Sequence, residues 1–147
     1  MTISKNGIDF ICQFEGWSEK TYLDSVNVAT IGYGTTLYKS GTKVTMQDPP
    51  ITKEQAKAEL QHHVEHRCYH ALVGLNLNQN QFDALCSFVY NVGAGAFESS
   101  TLKKRIVTGE GDIATAFAMW NKGGGKVLNG LTTRRKAESD LYLTPIV

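Results

Sequence analysis

Residues 14–34 read FEGWSEKTYLDSVNVATIGYG, and the change of character inside this stretch decides the fold. Upstream of it, Ile3, Gly7, Ile8, Phe10, Ile11 and Phe14 recur at helical spacing behind Ser4, a side chain able to cap a helix start. The spacing predicts a first helix that runs to about Glu15 and stops at Gly16. From Trp17 to about Asp48 the periodicity changes. β-Prone pieces at Thr21–Leu23, Val28–Ile31 and Lys43–Thr45 alternate with turn residues, Asp24-Ser25, Gly32, Gly34 and Ser40-Gly41. Together they predict a small antiparallel sheet that cannot stand alone.

Beyond Pro49-Pro50 the pattern is helical to the end. Thr52 with Gln55 three residues on has capping-box spacing, and Ala56, Leu60, Val64, Cys68, Ala71 and Leu72 then mark one apolar face. Asn78 opens a helix through Val92 that ends at Gly93, Ser99 or Ser100 opens one to Gly109, and Asp112 opens one to Trp120. Thr132 or Thr133 opens the last, which stops before Pro145. The fold class is α+β: a mostly helical body with a small antiparallel sheet inserted after the first helix. The chain reads as one domain over residues 1–147, with a sheet lobe at about 17–48 and a helical lobe at about 52–147 that includes the first helix. A groove between two such lobes is where ligands usually bind. Glu15, at the exit of the first helix, and Asp24 and Thr30, on the sheet, are the residues placed to face each other across it.

A length of 147 residues suits a single core that folds without disulfide or metal. Lys and Arg number 15 against 14 Asp and Glu, for a net charge of +1, which argues against a nucleic-acid partner. The balance hides a split, because residues 1–98 carry net −3 and residues 99–147 carry net +4. The basic C-terminal third could favour an anionic partner. Cys12, Cys68 and Cys86 lack metal-ligand spacing and fall in predicted helices, which suggests a reducing compartment. Lys5, Asn6 and Asp9 interrupt any apolar run at the N-terminus, so neither a signal peptide nor a membrane span is expected there. His62, His66 and His70 share a helical stripe beside His63, opposite the apolar face, and read as a solvated surface rather than a metal site. Gly123-Gly124-Gly125-Lys126 lacks the full spacing of a phosphate loop.

Glu15 follows Phe14 at the end of an apolar helix, where partial burial favours the protonated acid, whereas Asp24 sits in a polar turn and should stay ionised. Two carboxyls in contrasting environments are what glycoside hydrolysis needs: one protonates the leaving oxygen, the other stabilises charge, activates water or attacks.

Phe14-Glu15-Gly16, then Asp24 nine residues after Glu15, then Thr30-Ile31-Gly32-Tyr33-Gly34, resembles the Glu/Asp/Thr signature of phage-type lysozymes, the endolysins of glycoside hydrolase family 24. The likeness continues through Gln81-Phe82-Asp83-Ala84-Leu85, Ser87-Phe88-Val89-Tyr90-Asn91-Val92-Gly93, Gly95-Ala96-Phe97 and Ser100-Thr101-Leu102. It ends with Trp120-Asn121 before a glycine loop, and with Gly130-Leu131, Arg134-Arg135 and Glu138. The resemblance implies a lysozyme-like fold and a muramidase that cleaves the β-1,4 bond between N-acetylmuramic acid and N-acetylglucosamine in peptidoglycan.

On that resemblance Glu15 is the general acid, Asp24 the second carboxylate, and Thr30 the hydroxyl that helps place the water. Asn91 faces the sugar, or else bonds its own helix end. Arg134 and Arg135, read as opening the last helix against the helix dipole, imply a use near the cleft, either pairing with Glu15 or with a peptide-stem carboxylate of the wall, with Arg135 ahead of Arg134. The alternative is a surface pair with Glu138 worth about 0–1 kcal/mol. Phe97 reads as core. Many relatives carry His where this chain has Thr35, placed for a structural ion pair, so that pair is missing here. The resemblance further implies no cofactor, a monomer, accumulation in the host cytoplasm and access to the wall through a lesion made by a holin. A lytic transglycosylase and a non-catalytic wall-binding module are the alternative readings.

Overall fold

The computed structural model describes residues 1–147. Helix α1 spans Lys5–Cys12, and Ser4 caps it by accepting the Gly7 N–H at 3.0 Å. Ser4 in turn donates its own N–H, at 3.0 Å, and its hydroxyl to the buried carboxylate of Asp83. The helix ends three residues earlier than the apolar spacing predicts. Gln13 and Phe14 donate their N–H groups to Phe10 and Ile11, three residues back rather than four, which tightens the last turn and closes the α-helix at Cys12. Glu15 therefore stands beyond the helix, on the bend that leads into the sheet.

Strand β1 (Ser18–Leu23) pairs antiparallel with β2 (Ala29–Gly32), with Tyr22 opposite Thr30, Leu23 opposite Ala29 and an irregularity between Ser18 and Tyr22. The expected third piece at Lys43–Thr45 does not become a strand. It is tied by a single Leu37–Lys43 bridge and by the Val44 N–H bonded to the Thr36 carbonyl at 3.0 Å. Sequence propensity supplied a β-prone segment there, but only one bridge's worth of partner backbone lies beside it.

Helix α2 (Lys53–Leu72) opens with the expected capping box, Thr52 to Gln55, and buries the whole predicted face from Ala56 to Leu72. Asn78 and Gln81 form a second capping box at the start of α3 (Gln79–Val92). Short helices follow: α4 (Ala94–Glu98), α5 (Thr101–Thr108, capped by Ser100) and α6 (Ile113–Ala118, capped by Asp112). A hairpin, β3 (Lys122–Gly123) and β4 (Lys126–Val127), then precedes α7 (Asn129–Leu143). Gly124 and Gly125 form its two-residue turn at φ 59° and 81°, a backbone that side chains resist. The glycine run is thus a tight turn.

That hairpin also explains why α7 starts three residues before the expected Thr132. Leu128 leaves β4 already bonded to the Asn121 carbonyl at 2.9 Å, and its own carbonyl accepts from Thr132 at 3.0 Å. A tertiary bond starts this helix, where α1, α2, α3, α5 and α6 have a side-chain cap. Arg134 and Arg135 accordingly lie in the second turn, and the expected conflict with the helix dipole is absent. At the centre, α3 packs against α1, α2 and α7. Phe88 meets the rings of Phe97, Phe117 and Trp120 edge to face, and Phe97 is core as expected. No helix is long and apolar enough to cross a membrane.

Candidate active site

Asp24 closes the β1–β2 turn and is held by that turn's backbone. Its Oδ1 accepts the N–H groups of Val26 and Val28, each at 2.9 Å. Asn27, at φ 62°, completes the tight loop by donating to the Asp24 carbonyl at 3.0 Å. One carboxylate oxygen is fixed and Oδ2 is left for solvent or ligand. Thr30, buried on β2, donates its hydroxyl to the Val28 carbonyl at 2.9 Å. With its proton committed, the Thr30 oxygen is free to accept from a water.

Glu15 lies on the bend between α1 and β1 with its side chain 24% exposed. Its Oε1 is 3.1 Å from Arg134 on α7, a residue 119 positions later in the chain. The Arg134 guanidinium also covers the face of Phe14 at 5.3 Å. The expected apolar setting of Glu15 is therefore half of the picture: the aromatic neighbour is there, and a cation shares the site. Tyr90, on α3, is close enough to feel Glu15, Arg134 and Arg67, and burial pushes its phenol up. Glu15, Asp24 and Thr30 make no hydrogen bond to one another, and each is anchored to its own framework.

Arg135, expected ahead of Arg134 in the cleft, is 1% exposed and points into the core, stacked on Phe88 at 5.1 Å. Its Nε lies 2.7 Å from Glu138 Oε1, off the hydrogen-bonding axis, and its NH2 bonds Oε2 at 3.1 Å. It has no surface to offer a substrate. The pair with Glu138 is also no surface pair, because Glu138 is fully buried. Burial disfavours both charges, pushing the Glu138 carboxyl up and Arg135 down, and their mutual attraction with the Ser87 hydroxyl opposes that.

Asn91 sits exposed in the last turn of α3 and makes no side-chain hydrogen bond, so the expected alternative of a bond to its own helix end is absent. His62, His66 and His70 are exposed, and His63 bonds the Leu37 carbonyl at 2.6 Å. Thr35 is buried and joined to Ile31 through two backbone bonds of 2.9 Å. Sequence reading missed Ser87 and undervalued Glu138. The only local signal was the i, i+3 and i, i+4 spacing of Glu138 from Arg135 and Arg134, which is the same for a surface pair.

A helical body carrying an inserted β-hairpin, with one carboxyl at the first helix exit and another on the hairpin turn, defines the lysozyme-like class. The chain belongs to the phage lysozyme family, whose model matches residues 12–138. It is 41% identical to the endolysin of Bacillus phage B103 over 98% of this chain and 55% of that one. This chain thus spans about half the length of the first Bacillus phage relatives it matches. The endolysin of Salmonella phage P22 is 37% identical over 98% of this chain and 99% of that one. The solved endolysin of Escherichia coli O157:H7 phage FAHEc1 superposes with a TM-score of 0.84 at 40% identity, covering 97% of this chain and 94% of that one.

Proposed function

We infer that residues 1–147 form one catalytic domain, a phage muramidase that hydrolyses the β-1,4 bond between N-acetylmuramic acid and N-acetylglucosamine in peptidoglycan. The observation that carries this reading is the pair of differently held carboxyls. Glu15 is half-enclosed beside Phe14 and Arg134, and Asp24 has one oxygen pinned by two backbone N–H groups and the other free. In this reading Glu15 protonates the glycosidic oxygen as the bond breaks. Asp24 Oδ2 stabilises the positive charge on the sugar or directs the water, and Thr30 accepts a hydrogen from that water. Asn91, with both amide groups free, contacts the saccharide.

The family relation supports a peptidoglycan substrate, and the charge balance gives no reason to invoke nucleic acid. The remaining roles follow the resemblance: a cofactor-free monomer, held in the host cytoplasm until a holin lesion admits it to the wall. The test is Glu15→Gln on purified wall, with the released fragments read by mass spectrometry. Loss of lysis in a folded variant and reducing ends from the wild type are expected. A 1,6-anhydro end would mean a transglycosylase, and a wild type that binds wall without releasing fragments would mean a binding module.

A further inference from the structure

Four charged side chains converge where α7 meets the rest of the molecule, and only one of them has a part in the reaction above. Arg134 and Arg135 are 3% and 1% exposed and Glu138 is 0% exposed, and the fourth is Glu15. The two guanidiniums are balanced by two carboxylates, so the cluster is neutral with Glu15 ionised and gains one positive charge when Glu15 takes a proton. Ser87, buried on α3, sits at the junction. Its hydroxyl donates to Glu138 Oε2 at 2.5 Å and accepts from Arg134 Nε at 3.3 Å and NH2 at 3.2 Å, while its carbonyl accepts from Arg134 NH2 at 3.3 Å. Glu138 Oε2 also meets Arg134 Nε at 3.4 Å. The Nε and NH2 edge of the Arg134 guanidinium is therefore committed to Ser87 and Glu138, and its NH1 alone reaches Glu15.

We propose that Ser87 and Glu138 are positioning residues for the general acid, holding the Arg134 guanidinium so that NH1 meets Glu15 in one fixed direction. The proposal rests on the reading of Glu15 as the acid. A guanidinium is planar, so anchoring its opposite edge fixes where NH1 points. Such an anchor limits how Glu15 can turn. Arg134 from α7 bonds Glu15, Tyr90 from α3 and Cys12 from α1 lie within its electrostatic reach, and of the three only Arg134 carries a fixed charge.

Ser87→Ala is the informative change, since it removes the junction hydroxyl and leaves the Arg135–Glu138 pair intact. Expected are a melting temperature close to wild type and kcat lowered about tenfold with KM within about twofold. Ser87→Thr, which keeps the hydroxyl, should restore the wild-type kcat. Glu15→Gln is run beside it and should be inactive. If Glu15→Gln is inactive while Ser87→Ala keeps the wild-type kcat, the positioning role is wrong and the assignment of the acid stands. Lower activity that only tracks a lower folded fraction, or a loss that Ser87→Thr does not rescue, also overturns it. Substantial activity in Glu15→Gln overturns the reading of the acid itself, and the positioning role with it.

Discussion

Asp24 and Val28 are joined twice across the β-hairpin turn. The Asp24 N–H donates to the Val28 carbonyl at 3.0 Å, and the Val28 N–H donates to Asp24 Oδ1 at 2.9 Å. The same carboxylate thus builds the loop and serves it, one oxygen committed to backbone and one facing outward. Because Val28 also accepts the Thr30 hydroxyl, the positions of Asp24 and Thr30 are linked through one residue.

Asp24→Asn keeps an oxygen to accept those two N–H groups while removing the charge. It should fold with near wild-type stability and lose wall lysis by about a hundredfold or more. Asp24→Ala loses the acceptor as well and should cost about 1–3 kcal/mol in urea unfolding. Equal activity in wild type and Asp24→Asn would remove Asp24 from the reaction.

Tyr38 donates its hydroxyl to Asp48 Oδ2 at 2.7 Å, and burial together with that bond raises the phenol from 10.0 to about 12. The folded state holds this proton more tightly than the unfolded chain. Its stabilising effect is thus whole below about pH 10 and lost as pH rises through about 12. Tyr38→Phe should abolish that alkaline component in denaturant titrations across the range. Asp48 titrates the other way: Thr45 and Tyr38 hold its carboxyl below 3.8, so its contribution is present above that pH and fades as pH falls further. An unchanged alkaline profile in Tyr38→Phe would locate the effect elsewhere among the tyrosines.

Gly7 gives the carboxylate of Asp83 room to approach α1. A Cβ there would stand 2.6 Å from Asp83 Cγ and 2.6 Å from Ile3 Cγ1. Although alanine favours helices, Gly7→Ala should destabilise by about 1–3 kcal/mol through overpacking, and should disturb the Ser4 cap that Asp83 holds. Thermal unfolding decides it, and a gain in stability would show that Asp83 moves aside freely.

The positive excess of the C-terminal third is smaller at the surface than in the sequence. Arg134 and Arg135 are buried, Lys103 pairs with Glu98 at 2.5 Å, and Arg105 donates to the Asp112 carbonyl at 2.6 Å. Lys104, Lys122 and Lys126 remain exposed without an ion-pair partner. Changing these three to Glu should weaken sedimentation with purified wall at low salt and flatten its salt dependence. Unchanged sedimentation would make the charge split a matter of surface solvation alone.

What the sequence revealed was local. Ser4, Thr52, Asn78 and Asp112 could be read as caps because a cap needs only its own next few residues. The buried face of α2 was legible for the same reason, since periodicity is an internal property of a helix. The ends and partners were set from afar. The tightened turn after Cys12 and the start of α7 at Asn129 depend on backbone bonds that no residue type announces. Arg134 and Arg135 differ by about 100° around the helix, so the choice between cleft and core rests on how α7 is rotated against α3. Glu15, Asp24 and Thr30 were found through a pattern spread along the chain, whereas Ser87 had nothing beside it in sequence to mark its reach to Glu138, 51 residues on.

The contact between Glu15 and Arg134 has a consequence in time. The ribosome makes Glu15 119 residues before its guanidinium partner, so until Arg134 emerges the carboxyl lacks the cation it meets in the fold. A nascent chain can raise α1, the β-hairpin and α2 in order, yet Glu15 stays without its ion pair until α7 docks against α3. Of the seven helices, α7 is translated after the other six, and it is the one that completes the surroundings of Glu15.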